Sequence, residues 1–578
     1  MVQTHKMSKK SRSISPNSVG TPITGAQLAA RALKAHGVAR VFALCGDHVN
    51  ALFHAVENEG IEIVGARHES AAVQMADGWA RATGLPGVVI VTGGPGHTNA
   101  VTGVAVAQGA QSPVVLISGQ AAKKLRERGG NQSLYQADLM RPVTKWSIEA
   151  ETPESTGELI SRALSIAVSG TPGSVSVSIP VDVAKSTRDF VPAATGQQCQ
   201  AGQYAATVPI SSATRAAKLL AAARRPVAII GGNAWCHGSH KAIARALRAL
   251  GIPAFTNGQS RGVIPDDGKF CFGYANPLFN RTFRAVADAD LFLLIGSTLD
   301  YSFGSGTNRV VNPGASIVQV HQDPFQIGVG QTPHAAIVGD HASALRALES
   351  ALAGSGLSTY LKRWRRELRQ QYIEQQAYWQ QLTRRSRNGS GGIHPAAVCK
   401  ALQKHWTPNT TMVFDVGDFT NWPKAYFPAQ LPARFMDGGA LGNLGGALPL
   451  AIGAQIAAGS SSVWAFTGDG GFGFHGWELS TAVERDLPLK IILGNDNCWG
   501  TEKRLQRMEF GRDIACDLPA IRYDKFAHLL GVSAFHAATE TELTRAIDRF
   551  AASRGPSLLQ IDLAPLAGRP FQIPAARA

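Results

Sequence analysis

A Gly-rich segment in the C-terminal part of the chain joins two apolar segments, and oxygen-bearing side chains follow each of them. Asp469 comes after apolar residues 463–466, and Asn495 and Asp496 come after apolar residues 488–493. Because the carboxyl ends of parallel strands meet at one edge of a sheet, we expect these side chains to lie close together. Their oxygens, with the free amides of a helix start, suit a hard divalent cation that carries a diphosphate.

The elements around these residues are predicted from the apolar pattern. Residues 463–466 and 488–493 are predicted to be buried parallel strands because they are short, apolar and bounded by turn residues. A Gly-rich turn is expected after the first of these strands, and a helix is expected from about residue 477 to residue 484. The segment therefore predicts one strand–turn–helix–strand unit.

A second group of candidate residues lies near the N-terminal end. Glu69 begins a helical pattern in RHESAAVQMADGWARATG, and the turn TGGPGHTNA follows the next predicted strand. A Glu held against apolar helix faces can hydrogen-bond a ring nitrogen of a ligand, and the glycines let the backbone approach that ligand closely. Two simpler interpretations remain open: a Glu that only complements the helix dipole, and a tight strand-to-helix turn.

The alternation of strands and helices predicts an α/β protein with doubly wound parallel sheets. The length of 578 residues favours three or four domains. We place a basic, disordered tail at residues 1–21 and the first domain at residues 22–186. A central domain is predicted at residues 206–353, a helical linker at residues 354–392 and a last domain at residues 393–566.

Composition excludes several classes of protein. The net charge is +15, but only 17% of residues are charged and no basic-aromatic module is present, so no nucleic-acid partner is expected. The 7 Cys residues are scattered without a CxxC motif, which predicts a reducing compartment. No apolar run approaches ~18 residues, so no membrane span is expected. The N-terminal tail lacks the apolar core of a secretory signal, and the predicted location is cytoplasmic.

Seven segments, taken in chain order, resemble the acetolactate synthase superfamily of thiamine-diphosphate enzymes. They are RHESAAVQMADGWARATG, VTGGPGHTN, AQSPVVLISGQ, RPVTKWS, SGTPGSVSVSIPVDV, GALGNLGGALPLAIGA and GDGGFGFHGWELSTAVERDLP. The resemblance runs from about residue 22 to residue 565. It implies a pyrimidine-binding domain, a central domain and a diphosphate-binding domain. In this family the cofactor lies between the first domain of one subunit and the third of its partner, which implies a homodimer or homotetramer.

The resemblance also implies roles for individual residues. Glu69 matches the Glu that hydrogen-bonds the aminopyrimidine and promotes formation of the ylid, and Gln120 matches a Gln near the reactive carbon. Asp469 matches a ligand of Mg²⁺, either Asn495 or Asp496 supplies the second ligand, and Cys498 or its neighbour Asn497 supplies a backbone carbonyl. The residues that match cofactor-binding positions are Gly94, Pro95, Gly96, Asn99, Gly417, Leu444, Gly468, Gly470 and Gly471.

The sequence departs from acetolactate synthases at two positions that contact the second substrate in those enzymes. Ser302 stands where they carry an Arg, and Leu505 stands where they carry a Trp, although Lys145 is retained in VTKW. GNDNCWGTEK and the segment GDF at residues 417–419 resemble the acetolactate-synthase-like and 2-hydroxyacyl lyase branch instead. By the same comparison, the central domain could hold FAD, another nucleotide or no ligand.

The resemblance therefore implies an enzyme that makes or breaks a C–C bond next to a carbonyl. The leading hypothesis is decarboxylation of a small 2-oxo acid followed by addition of the bound enamine to an acceptor. The alternatives are a lyase that cleaves a 2-hydroxyacyl compound, such as a CoA thioester, and a simple 2-oxo acid decarboxylase. A non-catalytic regulatory homologue is the remote alternative, because such a protein would be expected to lose Glu69 and Asp469.

Overall fold

The computed structural model describes residues 22–188, 198–199, 206–232, 234–235, 239–307, 310–353, 358–385, 391–564 and 568–571. The predicted N-terminal tail and most of the residues between the predicted first and central domains lie outside these ranges. Within them, three six-stranded sheets follow one another along the chain, and all strand pairs in these sheets are parallel. Helices connect the strands and cover the sheets, which confirms the predicted fold class. The exact domain boundaries remain predictions.

The first sheet has the strand order β3-β2-β4-β5-β7-β6, and β1 and β8 form a separate antiparallel pair. Its strands are β1 (Ile23–Thr24), β2 (Arg40–Ala43), β3 (Glu62–Gly65), β4 (Gly87–Val91), β5 (Val114–Gln120), β6 (Trp146–Glu149), β7 (Val175–Pro180) and β8 (Thr187–Arg188). The helices are α1 (Gly25–Ala35), α2 (Asn50–Asn58), α3 (Glu69–Thr83), α4 (Pro95–Gly109), α5 (Gln136–Met140), α6 (Ser155–Val168) and α7 (Val181–Lys185).

The central sheet has the strand order β11-β10-β9-β12-β13-β14. The strands are β9 (Pro226–Ile230), β10 (Ala254–Thr256), β11 (Cys271–Tyr274), β12 (Leu291–Ile295), β13 (Ser316–His321) and β14 (Ala335–Val338). The helices are α8 (Thr214–Ala222), α9 (Ser239–Leu250) and α10 (His341–Ala351), and the connecting helix is α11 (Ser358–Arg385). The order changes direction between β9 and β12, which creates a crevice at the carboxyl ends of these two strands.

The third sheet has the strand order β16-β15-β17-β18-β20-β19. The strands are β15 (Thr411–Phe414), β16 (Phe435–Asp437), β17 (Val463–Gly468), β18 (Leu489–Asn495), β19 (Ser533–Ala537) and β20 (Ser557–Asp562). The helices are α12 (Pro395–Leu402), α13 (Asp418–Tyr426), α14 (Ala447–Ala458), α15 (Asp469–His475), α16 (Leu479–Glu484), α17 (Gly500–Phe510), α18 (Tyr523–Leu529) and α19 (Glu540–Ala552).

The Gly-rich segment after β17 is helical, so the prediction of a turn there was wrong. Helix α15 begins at Asp469 itself, and a short 3₁₀ turn at residues 476–478 joins it to α16. Strand β18 also extends to Asn495, two residues beyond the predicted end. These differences arise because tertiary packing holds several Gly residues in helical conformation, although glycine is intrinsically a poor helix former.

The first and third domains share one apolar core within the chain, and helices α3 and α14 form its centre. Added Cβ atoms at Gly78 and Gly453 would lie 2.0 Å from the Leu450 carbonyl oxygen and 1.8 Å from the Met75 carbonyl oxygen. These two glycines therefore allow the helix backbones to approach closely. Among the described residues, no helix is long and apolar enough to cross a membrane.

Candidate cofactor and metal site

Glu69 is the first residue of α3, and its carboxylate is held by α4. The Asn99 side-chain amide donates to Glu69 Oε2 at 3.0 Å, while Glu69 Oε1 lies 3.4 Å from where a Cβ of Gly96 would be. The Glu69 residue is 8% exposed. Gly96 and Asn99, predicted as cofactor-binding residues, are therefore brought against the predicted catalytic Glu. Asn99 fixes one carboxylate oxygen, and Gly96 leaves space beside the other.

The turn that contains Gly94 is organised by a residue that the sequence did not point to. The buried Gln136 accepts a hydrogen bond from the Gly94 amide at 2.9 Å and donates to the Gly119 carbonyl oxygen at 2.9 Å. Gly94 has φ +57°, and its α4 neighbour Pro95 occupies the first helical turn. Gln136 lies 42 residues away in the chain. Only its type, a long amide side chain, could have suggested this role.

His97 supports the same turn through its contact with Gln136. Ser118 Oγ lies 2.7 Å from its Nδ1, and its Nε2 lies 3.1 Å from the Gln136 carbonyl oxygen. Since a carbonyl can only accept, Nε2 carries the proton and the Ser118 hydroxyl donates to Nδ1. Burial lowers the pKa of His97 to about 4, so the ring is neutral near pH 7. The neutral imidazole is therefore part of the support for Gln136 and Gly94.

The Gln120 side chain is engaged by the backbone of its own domain. Its Nε2 donates to the Leu134 carbonyl oxygen at 2.6 Å, and its Oε1 accepts from the Ala121 amide at 3.0 Å. The residue is 2% exposed. Both polar ends are thus occupied in this conformation, which indicates that Gln120 orders residues 121–134. A position of Gln120 near a reactive carbon remains a prediction.

Asp469 and Asp496 lie together at the carboxyl edge of the third sheet, as the sequence predicts. Burial and then the charge of Asp496 raise the pKa of Asp469 to about 7, and burial raises the pKa of Asp496. Asp469 Oδ2 is buried without a hydrogen-bond partner. Two neighbouring carboxylates with an unpaired oxygen are unfavourable without a cation, because each repels the other. This donor set fits a divalent cation that also binds phosphate oxygens.

The residues next to Asp496 in the chain differ in the oxygen atoms that they could offer to a metal ion. Asn495 is the last residue of β18, and its Oδ1 lies 3.4 Å from the Asn497 amide. Asn497 adopts φ +53°, and its own Oδ1 is buried without a partner. Burial, followed by the Asp496 charge, raises the pKa of the Cys498 thiol to about 12, which keeps it protonated. Cys498 is thus suited to offer its carbonyl oxygen and unsuited to act as a thiolate ligand.

Within the described chain, no group of three or more His, Cys, Asp or Glu side chains is arranged as a complete metal centre.

The glycines after Asp469 are required by close packing. A Cβ on Gly470 would lie 2.4 Å from the Trp499 ring, and a Cβ on Gly471 would lie 2.6 Å from Asp415 Oδ2. Gly468 ends β17 and is the N-cap residue of α15. The amides at the start of α15 are therefore close to Asp469, where a helix N-terminus attracts anionic groups.

Asp415 is a second organising residue that the sequence did not single out. Its carboxylate accepts from the Gly445 amide at 2.9 Å and from Thr467 Oγ1 at 2.8 Å. Gly445 follows the half-buried Leu444, and its carbonyl oxygen lies 2.9 Å from His475 Nδ1. The loop that carries Leu444 is thus tied both to the end of β17 and to α15. This places Leu444 beside the Asp469 segment.

A cavity of about 370 Å³ connects the central crevice with the third domain. Its walls include Gly231 and Gly296, at the carboxyl ends of β9 and β12, and Gly417, at the start of α13. Gly417 has φ +143°, and an added Cβ would meet nothing within 4 Å, so open space lies next to its backbone. Ser302 also lines this cavity. Gly417, predicted to bind the cofactor, and the crevice of the central domain therefore face one continuous space.

Two other positions singled out in the sequence lie outside the lining of this cavity. The Lys145 ammonium group donates to the carbonyl oxygens of Ile166 and Ser169, both at 2.5 Å, and so caps the end of α6. Leu505 is 39% exposed on α17. Lys145, the residue retained in VTKW, is thus engaged in a structural contact at the end of α6.

Glu69 and Asp469, one from each half of the predicted cofactor site, have separate sets of neighbours in the described part of the chain. Glu69 is paired with Asn99, whereas Asp469 is surrounded by Gly470, Asp496 and Asn497.

Comparison with known proteins identifies both outer domains as cofactor-binding domains. Residues 23–139 match the family description "Thiamine pyrophosphate enzyme, N-terminal TPP binding domain", and residues 415–561 match the corresponding C-terminal TPP binding domain. Residues 213–348 match the central domain of thiamine pyrophosphate enzymes. The chain therefore belongs to the thiamine pyrophosphate enzymes of the acetolactate synthase-like superfamily, as the sequence motifs predict.

Acetolactate synthases and 2-hydroxyacyl-CoA lyases are both among the relatives of this chain. It is 31% identical over 549 residues to the acetolactate synthase large subunit IlvG of Mycobacterium tuberculosis, covering 93% of this chain and 95% of that protein. It is 30% identical over 556 residues to 2-hydroxyacyl-CoA lyase 2 of Homo sapiens, covering 90% and 86%. A probable acetolactate synthase large subunit of Methanocaldococcus jannaschii is 30% identical, with 96% and 94% covered.

Proposed function

We propose that this enzyme decarboxylates a small 2-oxo acid and joins the remaining carbon unit to an acceptor. The observation that carries the proposal is that both half-sites are intact: a Glu69 carboxylate held by Asn99, and an unpaired Asp469 oxygen beside Asp496. When bound, thiamine diphosphate supplies a nucleophilic carbon that adds to a carbonyl and stabilises the negative charge left when a neighbouring bond breaks. The protein's own residues bind, orient and exchange protons with it.

Glu69 is proposed to exchange a proton with the aminopyrimidine ring of the cofactor. Asn99 leaves Glu69 Oε1 available for this contact, because it binds only Oε2. The missing side chain at Gly96 gives the ring room to approach that oxygen. Gly94 and Pro95, held by Gln136, would shape the same side of the cofactor.

Asp469 and Asp496 are proposed to hold Mg²⁺ against the diphosphate, with the Cys498 carbonyl oxygen as a further ligand. Asn495 remains the alternative to Asp496, but its side-chain oxygen already lies near the Asn497 amide. The amides after Gly468, with Gly470 and Gly471, would approach the diphosphate. Leu444 and Gly417 would contact the organic part of the cofactor from the third domain.

The complete site is proposed to form between two chains, with Glu69 from one and Asp469 from the other. The support is that these residues have separate sets of neighbours within a chain. Closed two-fold symmetry would form two equivalent sites from one interface. A homodimer or a homotetramer built from such dimers is therefore expected, with a small molecule as substrate.

A second candidate function is cleavage of a 2-hydroxyacyl-CoA. The observation that favours it is the cavity shared by the central crevice and Gly417, since a crevice at a strand-order reversal suits a nucleotide. The same space could hold FAD or another nucleotide as a passenger. Replacement of an Arg by Ser302 on its wall would also alter the recognition of a carboxylate.

The two candidates separate in one experiment. The purified enzyme with thiamine diphosphate and Mg²⁺ is incubated with pyruvate and, separately, with a 2-hydroxyacyl-CoA. Carbon dioxide release with a coupled C–C product supports the first function, whereas release of an aldehyde and a formyl thioester supports the second. Activity that survives in Glu69→Gln would contradict both, since both need the same proton transfer.

A further inference from the structure

Glu478 is a buried carboxylate of the third domain that contacts the first domain directly before Glu69. Its Oε1 accepts hydrogen bonds from the Arg67 amide at 2.8 Å and from the His68 amide at 3.1 Å. Its Oε2 accepts from Thr481 Oγ1 at 3.0 Å. The residue is only 1% exposed. Burial of a carboxylate costs free energy unless the group is well hydrogen-bonded. Loss of these three hydrogen bonds would therefore be strongly unfavourable.

The whole segment around Glu478 docks on the same turn of the first domain. The His475 and His68 rings meet edge to face with centroids 5.5 Å apart, and Thr481 Oγ1 lies 3.2 Å from the Gly65 carbonyl oxygen. An exposed ion pair joins Arg67 to Glu484 at 3.0 Å. Glu478 is the buried centre of this contact. The turn at residues 65–68 thus takes its position from the third domain.

The consequence for Glu69 follows from chain connectivity. His68 is the N-cap residue of α3, and its Nδ1 accepts from the Ser70 amide at 3.1 Å. Any shift of the Arg67 and His68 amides therefore moves the first turn of α3, which carries the Glu69 carboxylate. A negative charge near a helix N-terminus is also electrostatically favourable. Glu478, about 410 residues away along the chain, both holds the Arg67 and His68 amides and places a negative charge near the start of α3.

We propose that Glu478 is a positioning residue that holds the turn before Glu69 and thereby sets the orientation of the Glu69 carboxylate. The proposal rests on the proposed role of Glu69 in cofactor activation. Glu478 lies nine residues after Asp469, in the segment that begins with α15, the helix of this proposed metal ligand. One segment of the third domain thus carries a metal ligand and the support for Glu69 of its own chain. In a dimer whose sites form between the two chains, Asp469 and Glu69 of one chain belong to different sites.

The experiment compares Glu478→Ala with Glu478→Gln in the full-length protein. The Gln side chain keeps an acceptor for both amides, whereas Ala removes it. Without cofactor, hydrogen exchange at the Arg67 and His68 amides should be at least about tenfold faster in Glu478→Ala and within about threefold of wild type in Glu478→Gln. With thiamine diphosphate and Mg²⁺, kcat should fall at least about tenfold in Glu478→Ala while KM stays within about threefold.

The matched control is Glu484→Gln, which removes the exposed ion pair with Arg67 and should change neither measurement. Unchanged amide exchange in Glu478→Ala would overturn the proposal, as would a Gln variant as damaged as the Ala variant. An equal loss of thiamine diphosphate affinity and kcat would also overturn it, because it would indicate damage to the Asp469 segment. The exchange measurement on the cofactor-free protein is independent of the reaction. Absence of activity in the wild type would therefore count against the proposed function alone.

Discussion

Removal of the Asn99 amide is the perturbation that most directly tests how Glu69 is oriented. Asn99→Ala deletes the donor 3.0 Å from Glu69 Oε2. A hydrogen bond to a charged group contributes about 1.5–3 kcal/mol, so proton transfer through Glu69 should slow by about 10- to 100-fold. Asn99→Asp should be at least as damaging. Two carboxylates about 3 Å apart repel by about 5 kcal/mol at an effective dielectric constant of about 20.

The assay is deuterium exchange at the reactive carbon of thiamine diphosphate bound to the enzyme, with cofactor affinity measured in parallel. Affinity should stay within about threefold of wild type, because the diphosphate and metal contacts lie in the other half-site. Thr98→Ala is the control: its hydroxyl donates only to the nearby Pro95 carbonyl oxygen in the exposed first turn of α4. An exchange rate in Asn99→Ala equal to that of wild type would refute the role assigned to this pair.

Four further outcomes are expected. Asp469→Asn and Asp496→Asn should each weaken Mg²⁺-dependent binding of thiamine diphosphate at least about tenfold, and unchanged binding in both would remove the metal site. Mixed Glu69→Gln and Asp469→Ala subunits should recover part of the activity after subunit exchange, whereas no recovery would favour a site within one chain. Gly470→Ala should weaken cofactor binding, because its Cβ would lie 2.4 Å from the Trp499 ring, and wild-type affinity would contradict this packing. The pKa of about 4 predicts that the stability supplied by neutral His97 is complete above about pH 6.5 and is lost as the pH falls towards 4. The loss should be about 2 kcal/mol at pH 5, and His97→Gln, measured by urea unfolding at pH 7.5 and pH 5, should lack that part of the pH dependence.

Local sequence patterns were sufficient to predict the class of fold and the two half-sites. Apolar strands alternating with helices predict parallel sheets because burial on both faces leaves a repeating pattern in the chain. Asp469 and Glu69 could be identified because each follows a strand or begins a helix in a recognisable segment. The helical state of residues 469–475 could not be predicted in this way, because its glycines are held by contacts with Trp499, Asp415 and the loop at Gly445.

Only the tertiary structure shows which side chains orient the predicted residues. The partner of Gly94 is Gln136, and the turn before Glu69 is held by Glu478, which follows it by about 410 residues. The tertiary structure also shows that the side chains of Gln120 and Lys145 donate to backbone carbonyl groups, which their motifs did not predict. A hydrophobic period or a short motif depends only on residues that are close together in the chain. A hydrogen bond between distant segments depends on how whole domains close on each other, and no local spacing encodes that geometry.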